Sequence, residues 1–181
     1  PVQAETMFDA VNDLIDNDEQ LERGVERPFR LDELFFSTTD QRGVIRSGND
    51  VFIRVSGYHT DELIGRTHNV IRHADTPRSV FRLLWHHLEH GQPIAAYVKN
   101  RAKDGSHYWV LAAARPIGTT MLSVRLKPTS PLFDAIKAVY AEMRTVEHNI
   151  ERAAGSRRDA MDASTELLHQ RLAQLGFTDY D

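Results

Sequence analysis

Cysteine is absent from all 181 residues. That removes disulfides, thiolate nucleophiles and zinc sites of the Cys type from the available chemistry. The absence also fits a reducing compartment, and we read the chain as cytoplasmic. Long apolar runs are missing too. The longest, such as Tyr108 to Ala114, are too short to span a bilayer, and no basic-then-apolar leader opens the chain. A basic excess is lacking: the formal net charge is −4 and the isoelectric point near 6.1, which argues against nucleic acid as a partner. No nucleophile–base pair, Gly-rich phosphate loop or metal motif stands out, so the chain is not read as an enzyme. The start at Pro1 without Met, and the end at Asp181, lead us to expect a piece of a longer protein.

What is present is enough sequence for one globular domain with flanking helices. Residues 4–23 form an amphipathic pattern, with Met7, Val11, Leu14, Ile15 and Leu21 near one stripe and Gly24 as the stop. This helix is read equally as a lid on the domain or as a dimer seam. Residues 34–39 are β-prone, 40–43 supply a turn, and 44–46 continue as a second strand. Asn49 can cap a short helix closed by Gly57, and Thr60 can cap another closed by Gly65. Pro77 opens a helix over 77–90 whose stripe of Phe81, Leu84, Trp85 and Leu88 is expected to be buried. Three strand-like runs follow, over 94–101, 107–116 and 121–127, joined by two glycine-containing turns. Two strands, several short helices and a three-strand meander make an α+β arrangement, an antiparallel sheet with helices on one face.

Ser130-Pro131 then starts a last helical segment. Leu132, Ile136, Val139, Met143, Val146 and Ile150 recur at alternating steps of four and three, a heptad. Packing on the chain's own sheet and pairing with a partner helix both account for it, and its regularity favours a partner. After an interruption at 155–158, a second stretch carries Met161, Leu168, Leu172 and Leu175. The expected organisation is therefore an N-terminal helix and linker over 1–30, a sheet domain over 31–127, and a C-terminal helical segment over 128–181. Either terminal helix could make a homodimer.

Six fragments carry a family resemblance. They are Ser37-Thr38-Thr39-Asp40, Asn49-Asp50-Val51-Phe52, Val55-Ser56-Gly57-Tyr58, His68-Asn69-Val70-Ile71-Arg72-His73, Val98-Lys99-Asn100-Arg101, and Asp104-Gly105 followed by His107-Tyr108-Trp109-Val110. In this order and spacing they resemble the PAS domain of bacterial aerotaxis receptors and related chemoreceptors. The resemblance implies a five-stranded antiparallel sheet around a small cavity, with connecting helices over its open face. It also implies bound flavin adenine dinucleotide (FAD), whose redox state is reported to a downstream signalling domain or protein. Carried over position by position, it points to Asn49, His68, Asn69, Arg72, His73 and Asp75, with Phe81 and Trp85 on the long helix. Ala74 and Thr76 depart from the pattern, which has Pro and Met there, and Ile94 stands in place of a tryptophan.

The residues themselves allow this chemistry and some alternatives. Arg72 offers a planar fork of donors suited to a phosphate or the electron-rich edge of a flavin ring, or it could pair with Asp75 or Asp61. Phe81 and Trp85, four apart on a helix, could form a flat cavity wall or simply pack the core. Asn49 is also a natural helix cap. His86 and His90 are spaced for a metal, but a solvated face explains them better. His68 or His73 could serve heme as an axial ligand, so heme b stays open beside FAD, as does a domain without cofactor. Light chemistry through a cysteine adduct is excluded.

Overall fold

A computed structural model of the protein describes residues 24–153 and 155–177. The helix expected over 4–23 lies outside them. Five strands form one sheet: β1 (Phe35–Asp40), β2 (Ile45–Gly48), β3 (Ile94–Arg101), β4 (His107–Ile117) and β5 (Thr120–Leu126). Their order is β2-β1-β5-β4-β3, and every pairing is antiparallel. Strand alternation sorts the side chains. Phe35, Ile94, Ala96, Val98, Tyr108, Val110, Ala112 and Met121 are buried on the inner face, as period-two patterning requires.

Short helices cover that face. Helix α1 (Asp50–Ser56) starts at Asn49, whose Oδ1 accepts from Phe52 N at 3.1 Å, and ends at Gly57 with φ 74°. The next, α2 (Thr60–Leu63), starts at His59 rather than at Thr60. Glu62 makes the reach back, accepting from His59 N at 2.9 Å. A single 3-10 turn spans His68–Ile71. Helix α3 (Arg78–Glu89) follows, with Pro77 at its cap. Of the four residues expected to be buried on it, Leu88 is; Phe81, Leu84 and Trp85 are only half-buried, because they line a cavity.

The C-terminal segment is a helical hairpin of α4 (Leu132–Arg152) and α5 (Arg157–Gln174). Ser156 caps α5 by accepting from Asp159 N at 3.0 Å. The heptad seam on α4 is occupied by the chain itself: Val139 and Met143 are buried, as are Met161 and Leu168 of α5. Helix α5 packs against α4. Near its start α4 rests on the outer face of the sheet, where Phe133 lies 5.3 Å from both Tyr97 and Trp109. Tyr140 donates to Tyr97 O at 3.0 Å. Residues 25–29, read as linker, are tied into the domain. His107 N donates to Val25 O, and Phe29 packs edge-on against Phe35. Among the described residues no helix is long and apolar enough to cross a membrane.

Candidate functional site

Between the sheet and α3 lies a partly open cavity of about 110 Å³. One end is apolar, formed by Leu84, Leu88, Ala114 and Met121. The other carries His68, Asn69, Arg72, Asn100 and Arg125. Phe81 and Trp85 form part of the wall on the helix side. Few polar groups in an apolar hollow is the usual build of a small-molecule site.

The segment before α3 is fixed along the edge strand. Arg72 makes an antiparallel bridge to Asn100. Thr76 Oγ1 donates to Lys99 O at 3.1 Å and accepts from Lys99 N at 2.9 Å. That backbone anchoring sends the Arg72 side chain into the cavity, its guanidinium 4.2 Å from the Phe81 ring centre. Such stacking holds the guanidinium plane against the ring face.

Arg125 dominates the polar end. It is 4% exposed, and its Nη2 donates to Ser37 Oγ at 3.0 Å and to His68 Nε2 at 2.5 Å. Its Nη1 has no partner among the described residues, and neither does Asn100 Nδ2. No carboxylate among them pairs with Arg125. Burial pushes its pKa down to about 10, partly offset by Tyr108, so at neutral pH it is a buried cation. Burial and the Arg125 charge push His68 well below its ordinary value. His68 is therefore neutral, with Nε2 as the acceptor. Its ring stacks on Phe52, with centres 6.0 Å apart and planes within 10°.

Five of the eight residues singled out from the sequence line the cavity: His68, Asn69, Arg72, Phe81 and Trp85. Three do not. Asn49 is occupied as a cap and clasp, accepting from Phe52 N and Phe36 N and donating to Leu34 O. His73 is buried outside the cavity beside His107; its Nδ1 accepts from Asp75 N at 3.1 Å. Asp75 pairs with Lys99 Nζ at 2.5 Å. His86 and His90 sit together on the exposed end of α3, and no metal-binding cluster occurs among the described residues.

Sequence reading missed Arg125 and Asn100 as site residues. A signal existed: both occupy inward positions in strands whose alternation is otherwise apolar or small, in the series 94, 96, 98, 100 and 121, 123, 125. A charge at an inward strand position needs a partner inside.

A family model described as PAS fold matches residues 45–123. The aerotaxis receptor of Escherichia coli (strain K12) is 39% identical over 118 residues, which are 62% of this chain and 23% of that receptor. A nitrogen fixation regulatory protein of Klebsiella pneumoniae is 31% identical over 81 residues, 45% of this chain and 16% of that protein. The chain thus spans less than a quarter of either relative. A blue-light activated histidine kinase of Erythrobacter litoralis shares the fold, with a TM-score of 0.50 and 14% identity over 77% of this chain and 50% of that one. The sheet domain of this chain is a PAS domain, of the type marked by its likeness to the aerotaxis receptor.

Proposed function

We propose that the chain is a cytoplasmic sensory module, not an enzyme, that binds FAD in its cavity and reports redox or oxygen state to a downstream signalling partner. The observation that carries this reading is Arg125, a buried cation whose Nη1 has no partner among the described residues, in a cavity whose lining also holds Asn100 with Nδ2 in the same condition. Leaving such donors buried without an acceptor costs about 1–3 kcal/mol each, more for the charged one. A ligand with an electron-rich polar edge and a flat apolar body answers both the donors and the Phe81–Trp85 wall. An isoalloxazine ring has that form, and the likeness to the aerotaxis receptor supports it. Arg72, Arg125 and Asn100 would hold the polar edge, and Phe81, Trp85, Leu84 and Met121 the ring.

When bound, a flavin supplies reversible electron transfer, with negative charge or a ring proton gained on reduction. Arg125 would stabilise the negative charge, with His68 holding its guanidinium in place. No bond-making residue is required. Heme finds less support: His68 Nε2 accepts from Arg125, and His73 lies outside the cavity.

An absorption spectrum of the purified protein tests the reading. Bands near about 450 nm are expected. A single strong band at roughly 400–430 nm would mean heme, and a colourless protein would remove the flavin. Self-association, expected at either terminal helix, we propose for the N-terminal segment, because Val139 and Met143, in the middle of the 132–150 seam, are already buried within the chain. Leu14→Glu should then give a monomer in sedimentation, and an unchanged dimer would put the seam elsewhere.

A further inference from the structure

Helix α3 has two working faces. Phe81, Leu84, Trp85 and Leu88 face the cavity, while Arg78, Ser79 and Arg82 meet the C-terminal hairpin. At the centre of that second contact lies Glu147 of α4, fully buried. Its Oε1 accepts from Ser79 N at 3.1 Å and from Ser79 Oγ at 3.1 Å. Its Oε2 accepts from Arg78 N at 3.1 Å and from Arg144 Nη1 at 2.8 Å. Ser164 Oγ of α5 lies 2.8 Å from Oε1 and 2.6 Å from Ser79 Oγ, its one proton serving one of them. Flanking pairs are Arg78–Glu151 at 2.8 Å and Arg82–Asp162 at 2.7 Å.

The first N–H groups of a helix have no partner within it, and a carboxylate there is favoured by both charge and hydrogen bonding. Pro77 gives α3 no side-chain cap. The cap comes instead from Glu147, 68 residues away in the chain from Ser79, on the helix pair that continues toward the C-terminus. A buried carboxylate shared by three helices has a narrow tolerance, since any tilt of α3 breaks charge-assisted bonds. An apolar contact would only slide.

We propose that Glu147 is the coupling residue through which the state of the cavity reaches the C-terminal hairpin, with α3 as the lever. The proposal rests on the reading of the cavity as a sensory site. It places the route through a side-chain node, not through the covalent junction of β5 with α4.

Hydrogen exchange of amides in 132–174 tests this without requiring any ligand. Leu84→Ala loosens the cavity face of α3 and should raise hairpin exchange roughly tenfold in the wild-type background. Glu147→Gln should raise it by a similar factor alone, and adding Leu84→Ala should then change nothing more. If the effect of Leu84→Ala persists undiminished beside Glu147→Gln, the node is not the route. Ser164→Ala is the milder second variant, expected to reduce the Leu84 effect; an unchanged effect there also overturns the proposal. Where the protein carries flavin, dithionite reduction of wild type should raise hairpin exchange and Glu147→Gln should abolish the response. Lack of flavin would sink the functional reading while leaving the Leu84 arm to decide this one.

Discussion

His73 shows how one buried side chain sets a condition on the fold. Burial, with Lys99 nearby, lowers its pKa from 6.5 to about 4. Between these values the unfolded chain takes up a proton that the folded chain refuses. Stability is therefore full above about pH 6.5 and falls as pH drops toward 4, by about 1–2 kcal/mol once partial solvent screening is allowed for. His68, lowered by burial and by Arg125, acts with the same sign. Urea unfolding at pH 7 and pH 5 should show the loss, and His73→Gln should reduce it, leaving the share of His68; equal stability of the parent at both pH values would contradict the assignment. Gly43 sets a second condition. Its φ is 73°, and a Cβ there would lie 2.8 Å from the Trp85 ring. Gly43→Ala should destabilise by roughly 1–3 kcal/mol and change Trp85 fluorescence, and unaltered emission would remove that contact.

At this scale the sequence was partly legible. Arg72, Phe81 and Trp85 stood out through the family resemblance, and their types suit a flat ligand. His73 and Asp75 adjoin Arg72 in sequence, but the backbone bridge to Asn100 turns Arg72 inward and leaves the other two outside. Arg125 was overlooked because its role depends on His68 and Ser37, which are 57 and 88 residues away.

Among elements, the strands and short helices follow from period-two runs, caps and glycine turns, all of which are local signals. The heptad after Pro131 was legible as a seam but not as a destination, since the same spacing serves a second copy or the chain's own next helix. What decides is the turn at 155–156 and the Ser156 cap, which fold α5 back onto α4. The half-buried stripe of α3 has a similar cause: apolar residues read as core also line a hollow. Tyr140 fixes α4 to the sheet by donating to Tyr97 O. Tyr140→Phe should cost about 1 kcal/mol in unfolding free energy and raise exchange near residues 132–140. No change in either would show that the aromatic contacts with Phe133 and Trp109 suffice.

Across the whole molecule, one helix stands between a cavity with an unanswered positive charge and a hairpin held by a buried carboxylate. On the proposed reading, sensing and output are two faces of α3. The functional reading depends on an electron-rich ligand edge meeting Arg125. The most direct measurement is a fluorescence titration of FAD into flavin-free protein and into its Arg125→Gln variant. Submicromolar binding by the parent and a roughly tenfold to hundredfold weakening in the variant are expected, in line with one charge-assisted hydrogen bond of about 1.5–3 kcal/mol. Equal affinity in a folded variant would contradict the account.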